Sequence, residues 1–459
     1  MDKVIDRQSY VVVHDNRDIS GVNFTGQIVH DYDIPANLNV LKKKSYYVMK
    51  LKISQYRTAQ VAPVLPAGYR TLGHELNTAG LSNNLTELFF TQANFELNDV
   101  SVSAHPHYPH STIVSKSISM DRDEIDSRNN PPFTIATPLN RYTLHRRITC
   151  TDTEAEPPTY DEGLSLPATL TDNANHRIYK AISNVVKSQL LFNNASVTFP
   201  FPFGTMNAED DIIYGNNHIR TTFIIDPRYK EGVILSTTGP AIDGAPIDGH
   251  IKFEVVSVEL YLFTYQSQGV IPNQVHKTRF TDVFSTYQPV RSSIMRTINL
   301  PKNTHKLAIC MFPNLRSSFI DNGTFYCQGN SYIRTLRVSY AGTQFPRTDY
   351  YFDADPAGVL PANGDDAQRA YQDYCVNFGG SSGTTMMSYN EWLGNMLFLF
   401  DVSHVPDIGG EKIALIECEF LPIAVTDDSI LHVSAYYDKE LTIEYGENMI
   451  PEQTFVNEI

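Results

Sequence analysis

Two stretches decide the fold: Tyr340-Ala-Gly-Thr-Gln-Phe-Pro346 and Ser388-Tyr-Asn-Glu-Trp-Leu-Gly-Asn-Met-Leu-Phe-Leu-Phe-Asp401. Gly342 and Pro346 punctuate a turn in the first. In the second, Ser388 with Glu391 three residues on forms a capping box, which predicts about one helical turn before an apolar strand at 396–400. Between the two, a polar loop leads to a helix-like segment at 366–375, after the Asn363-Gly364 turn. Two further apolar strands, 413–421 and 430–437, close the region.

Outward from there, period-two alternation recurs. Met49, Leu51 and Ile53 alternate with Lys50, Lys52 and Ser54, and Ala93, Phe95 and Leu97 with Asn94, Glu96 and Asn98. Leu336, Val338 and Tyr340 alternate with Arg337 and Ser339. Leu431, Val433 and Ala435 do so with His432, Ser434 and Tyr436. One apolar and one polar face per strand predicts antiparallel sheet. The runs 255–263 and 307–312 are apolar on both sides and predict central strands buried between sheets or against a neighbouring subunit. Only one further segment, 175–187, carries a helical stripe, through Ile178, Ile182, Val185 and Val186. Long connections are expected at 55–85, 126–174, 204–218 and 341–388, and loops of that length usually carry function.

The 459 residues suit two domains better than one, and 42% hydrophobic against 19% charged residues allows a sizeable core. Tyr and Phe, 26 and 24 of them, lean the chain toward pleated structure. A net charge of −15 argues against coating nucleic acid. The one basic cluster, Lys42-Lys43-Lys44, reads as the solvated flank of a strand. Cys150, Cys310, Cys327, Cys375 and Cys418 are odd in number and lack CxxC spacing, and the start of the chain has no apolar signal region. Free thiols in a reducing compartment, unused glycosylation triplets at Asn23, Asn84, Asn194 and Asn322, and no membrane span are expected.

Taken in order, these segments resemble the double-jelly-roll major capsid proteins of Polinton/Maverick elements, adintoviruses and virophages. The matching positions are the Gly342/Pro346 turn, Tyr389 and Glu391 before the run ending Phe400-Asp401, and the closing strand with Ala435-Tyr436-Tyr437. Earlier in the chain, the segment 85–102 followed by His107-Tyr108-Pro109 resembles a buried helical turn, a strand, an Asn-centred turn and a Tyr-Pro dipeptide of that family. Residues 218–225 and 251–263 resemble the last two strands of its first jelly roll, and Leu300-Pro301-Lys302 the approach to an early strand of its second. No single motif is long; the specificity lies in the succession.

The resemblance implies an all-β chain of two consecutive antiparallel jelly rolls with long projecting loops and a few short helices. The expected divisions are 1–268 and 269–448, with an acidic, peripheral tail at 449–459. It implies a homotrimeric, pseudo-hexameric capsomer that tiles an icosahedral shell. Its partners would be other copies of itself and penton and minor capsid proteins, in a virion assembled from protein made in the host cytoplasm or nucleus. The alternative is a carbohydrate-binding or carbohydrate-processing β-sandwich.

No catalytic, cofactor or metal residue is nominated, and the chain is not expected to be an enzyme. Gly379-Gly-Ser381-Ser-Gly383 fits G-x-S-x-G, but that elbow works only on a strand-to-helix turn of an α/β sheet, so a flexible loop is expected. His105, His107 and His110 fall in an extended Pro-containing segment and read as a loop at a subunit contact, not as converging metal ligands. The acidic groups Asp121, Asp123, Glu124, Asp126 and Asp353, Asp355 match no EF-hand loop and read as solvated faces.

Overall fold

A computed structural model describes residues 5–14, 26–55, 79–81, 89–119, 195–200, 212–225, 234–236, 251–267, 274–290, 293–312, 333–352, 365–379, 389, 392, 396–405, 412–420, 430–446 and 450–458. Among these residues, strands outnumber helices twenty to two.

The first sandwich has one sheet of β1 (Ile5–His14), β3 (Asn39–Gln55), β7 (Ala195–Pro200) and β11 (Ile251–Ser267), ordered β1-β11-β3-β7, with the short β8 (Ile212–Ile213) also on β3. Its other sheet holds β2 (Gln27–Asp33), β5 (Phe90–Leu97), β6 (Val100–His105) and β9 (His218–Ile225), ordered β2-β9-β5-β6. A separate ribbon joins β4 (Ala79–Leu81) to β10 (Ile234–Ser236).

The second sandwich repeats the plan. β12 (Val275–Pro289), β14 (Thr304–Phe312), β17 (Phe398–Asp401) and β19 (Ile430–Tyr445) run β12-β19-β14-β17, with β20 (Pro451–Glu458) also on β19. β13 (Ser293–Leu300), β15 (Ile333–Tyr340), β16 (Thr343–Tyr351) and β18 (Lys412–Phe420) run β13-β18-β15-β16. When the eight principal strands of each sandwich are counted along the chain, both read 1-8-3-6 in one sheet and 2-7-4-5 in the other. All pairings are antiparallel, so each unit is a jelly roll.

Local chemistry sets the joints. The fourth and fifth strands of both units are joined by two-residue turns whose central residues have positive φ, Asn98 and Asp99 at 51° and 63°, Ala341 and Gly342 at 48° and 81°. This is the hairpin geometry that matches strand twist, and Asn and Gly are the residues that reach it at low cost. Pro346 sits in edge strand β16, where a missing N–H is tolerated.

Four expectations need correction. Residues 341–388 are not one long connection: beside the expected helix, α2 (Asp365–Asn377), they contain the strand β16. The closing acidic segment, expected as a peripheral tail without alternation, is a strand that pairs through Pro451–Glu458 with Lys439–Tyr445 of β19. The Pro-containing His segment is not extended beyond His107, because Tyr108–Ser119 forms helix α1. Lys42 is not solvated: it is buried inside β3, while Lys43 and Lys44 are exposed.

The helical stripe at 175–187, both acidic clusters, the asparagines of the four glycosylation triplets and Gly380–Gly383 of the elbow-like motif lie outside the described residues. So do Ser388 and Glu391 of the capping box. Tyr389 and Trp392 of that segment are helical, and Trp392 is buried with its indole N–H donating to the Leu397 carbonyl at 2.7 Å. Among the described residues no helix is long and apolar enough to cross a membrane.

Candidate functional site

The most elaborated chemistry lies where the two jelly rolls meet, and α1 is its centre. Pro109 falls in the first turn, where its missing N–H costs no helical bond. The helix is then rich in Ser and β-branched residues, which are poor helix formers in isolation. Three of its serine hydroxyls are satisfied within the helix. Ser111, Ser117 and Ser119 donate to the carbonyls of His107, Ile113 and Ser115, four residues back, at 3.0, 2.8 and 2.6 Å. Small polar side chains closed on their own backbone let these hydroxyls be buried between two sheets with partners, whereas the His110 Nε2 is buried without one.

α1 follows the fifth strand of the first jelly roll, yet Ile113, Val114 and Ile118 belong to the core of the second. It lies on the outer side of the β12-β19-β14 sheet. Ser115 and Tyr436 hydroxyls are 3.1 Å apart, and the His110 ring stands 5.5 Å from His432 and 4.5 Å from Phe312. His107 meets Tyr287 edge-on at 4.6 Å. At the far end Tyr374 of α2 donates to the Ser117 carbonyl at 2.9 Å, and the Gly379 N–H to that of Ile118 at 2.8 Å. The face of β19 expected to be polar, His432, Ser434 and Tyr436, is thus as buried as Leu431, Val433 and Ala435. The alternation was real, but its polar members meet a helix, not water.

Beside α1 runs a buried polar relay. Lys439 of β19 donates to Asp282 of β12 at 2.6 Å, Ser103 of β6 donates to the same carboxylate at 2.9 Å, and His105 lies 2.8 Å from the Ser103 hydroxyl. Burial works against the charge on Lys439, but the Asp282 carboxylate outweighs it and raises the lysine pKa. Burial lowers the pKa of His105, with Asp282 opposing and Lys439 adding to the effect. Burial pushes His110 down to about 3 and His432 well below the usual histidine range, so both imidazoles are neutral at pH 7. Further along, Asn98 ties three elements together. Its Nδ2 donates to Asn217 at 2.8 Å and to Thr454 of β20 at 2.9 Å, and its Oδ1 accepts from the His218 N–H at 2.8 Å.

The histidines singled out in the sequence are therefore brought to one seam within the chain: His105 in the relay, His110 against Phe312 and His432, and His107 against Tyr287. Among the described residues no group of three or more His, Cys, Asp or Glu side chains is placed to hold a metal ion. Cys310 and Cys418 are buried free thiols, and burial raises the Cys418 pKa. Asp282 and Lys439 were missed in the sequence. Their signal is faint: a charged residue among the apolar positions of each of two strands, separated by 157 residues.

A second feature faces outward. On the first jelly roll, Tyr10, Tyr46, Tyr261 and Phe263 form a ring cluster on the outer side of the β1-β11-β3 sheet. Tyr46 and Tyr261 are stacked at 5.3 Å, and Tyr10 lies 5.1 Å from Phe263 and 5.7 Å from Tyr46. Tyr10 is 48% exposed.

No protein-family model and no curated protein matches the chain. Solved structures do. The Sputnik virophage structure contains a chain that superposes with a TM-score of 0.58 at 11% identity, covering 100% of this chain and 89% of that one. The mavirus major capsid protein does so at 0.53 and 10%, covering 98% and 90%. A chain of the PBCV-1 virus capsid does so at 0.51 and 10%, covering 99% and 97%. Over essentially its whole length, this chain has the double-jelly-roll fold found in these viral structures.

Proposed function

We propose that this chain is a major capsid protein whose homotrimers form pseudo-hexameric capsomers of an icosahedral shell. The observation that carries the reading is the repeated strand order, 1-8-3-6 and 2-7-4-5, in two jelly rolls joined by α1 and by the Ser103–Asp282 hydrogen bond. Two like units held at a fixed angle give a three-fold assembly a nearly six-fold outline, so each neighbour meets a similar edge. Full-length similarity to a major capsid protein supports the same reading. On this reading the chain divides after residue 268, with α1 reaching across the division. Its place is the virion, its partners are further copies and the proteins that fill vertices and gaps, and its residues carry assembly, not catalysis.

The test is the mass of the purified full chain by light scattering, followed by electron microscopy. A trimer that survives dilution and moderate salt is expected, because permanent interfaces commonly exceed about 2,000 Å² and are largely apolar. A stable monomer at micromolar concentration overturns the capsomer reading.

A further inference from the structure

The way α1 covers the second jelly roll supplies a template for the first. α1 follows the fifth strand of unit one and lies on the outer face of the 1-8-3 strands of unit two, where His432, Ser434 and Tyr436 are 0% exposed. Unit two has a helix in the same topological place: α2 follows its own fifth strand, β16. Unit one has the same outer face, built by β1, β11 and β3, and there the side chains are aromatic and partly open to solvent.

We propose that α2 of a second copy of this chain docks on the Tyr10, Tyr46, Tyr261 and Phe263 face, repeating between chains the contact that α1 makes within one. This rests on the capsomer reading and names the surface and the element that would join its copies. Such a contact is heterologous; with a three-fold rotation between copies, internal and external versions alternate around a closed ring and leave no open face. The two surfaces fit in character. α2 turns Gln368, Gln372 and Val376 outward as one stripe, spaced four residues apart, and Val376 is 79% exposed. The helix carries more acids than bases, Asp365, Asp366 and Asp373 against Arg369, although Asp366 is engaged by Arg369 and the Tyr351 N–H, and Asp373 by the Tyr350 hydroxyl. The facing sheet presents the Lys44 ammonium, 4.7 Å above the Phe263 ring, at the margin of the aromatic cluster. Tyrosine-rich surfaces with a charged margin are the composition of interface centres.

The experiment uses the full-length chain. Tyr10→Glu and Val376→Glu are surface changes, so folding by circular dichroism is expected to be unchanged while the trimer dissociates at a protein concentration at least 10-fold higher than wild type. Independently, Tyr10→Cys combined with Val376→Cys in a Cys375→Ser background should give a disulfide-linked species of three chains on a non-reducing gel, which neither single cysteine gives. Trimers that persist in both glutamate variants, with no cross-link, overturn the docking proposal and leave the capsomer reading standing. A monomeric wild type overturns both.

Discussion

Strand β11 of the first jelly roll and strand β19 of the second hold the same place, between the first and third strands of their sheets, and live in different surroundings. From Leu431 to Tyr437 every residue of β19 is buried, one side in the core of its own sandwich and the other beneath α1. On β11, Val258, Leu260 and Leu262 face inward and are buried, but Tyr261 joins a partly exposed ring cluster and Glu259 is held by the Lys50 ammonium at 2.7 Å. One topology thus serves two roles. The second unit is completed within the chain, whereas the first keeps a sheet face available. A substitution on strand eight should accordingly cost far more in the second unit than in the first.

The largest effect is expected at Val433, which is 2% exposed and paired with Ile309 and Thr286 in the sheet. Val433→Asp buries a charge with no partner, at a cost of several kcal/mol against a total stability of about 5–15 kcal/mol. Insoluble protein is expected, to be checked by the soluble fraction on expression. Val433→Asp protein as soluble as Tyr10→Glu would erase the contrast between the two units.

Next in size is the seam itself. Asp282 is 3% exposed, and Lys439→Met removes its only cationic hydrogen-bond partner among the described residues. Removing one member of a buried pair costs about 3–5 kcal/mol, whereas replacing both with well-packed neutral groups is often close to neutral. Lys439→Met should lower the melting temperature strongly, and adding Asp282→Asn should recover most of the loss. Equal melting of single and double variants would mean that the pair adds nothing to the seam that Ser103 of the first unit makes with Asp282.

Acid should act on the same seam. His110 and His432 have folded-state pKa values below the unfolded value of about 6.5. As pH falls through that value the unfolded chain takes up protons first. The stability present above it is lost at about 1.4 kcal/mol per pH unit for each histidine, until the folded pKa is reached. The groups facing the pair are His107 and Ser115 from α1, with Cys310, Phe312, Tyr436 and Ser434, whose hydroxyl lies 2.9 Å from His432 Nε2, from the sheet, and none is an acid that could hold the imidazolium. Melting temperature measured from pH 7.5 to 5 should fall in wild type and fall less steeply in His432→Leu. Parallel curves would place the titration elsewhere.

Alternation made most of the sheets legible. The inward residues of β5, Ala93, Phe95 and Leu97, and of β15, Leu336, Val338 and Tyr340, are the ones expected from period two, and both are buried throughout. Residues 307–312, apolar on both sides, are doubly buried as expected. Helix α2 was visible too, because one face is buried and the other exposed. Helix α1 was not. It is enclosed by both units, which removes the one-sided stripe that marks a helix in sequence, and its serines and β-branched residues argue against helix locally. For the same reason His432 and Ser434 passed for a solvent face: a polar residue beneath a serine-rich helix and one beneath water read alike in a single chain. The seam escaped notice because its members, Ser103, Asp282 and Lys439, meet only through tertiary structure.

The smallest expected effect lies further along β19, at Lys277, which donates to Glu440 at 2.9 Å from the exposed side of β12. The Lys277 hydrogen bond is the main reason the Glu440 pKa is lowered, with Arg279 a further cation at 3.7 Å. Removing one of two cations from a solvated carboxylate changes little, because water and the remaining arginine take up the charge. Lys277→Ala should cost less than about 1 kcal/mol, and less still at high salt. The matching carboxylate in the first unit, Glu259, is more deeply buried and accepts from Lys50, Tyr261 and Ser257. Lys50→Ala leaves that carboxylate with hydroxyl donors and His14 at 3.7 Å, so it should destabilise more than Lys277→Ala and respond less to salt. Denaturant midpoints for the two variants at low and high salt would decide this. Equal losses would show that the two strand-eight carboxylates sit in equivalent surroundings, and that the difference between the units is confined to what α1 covers.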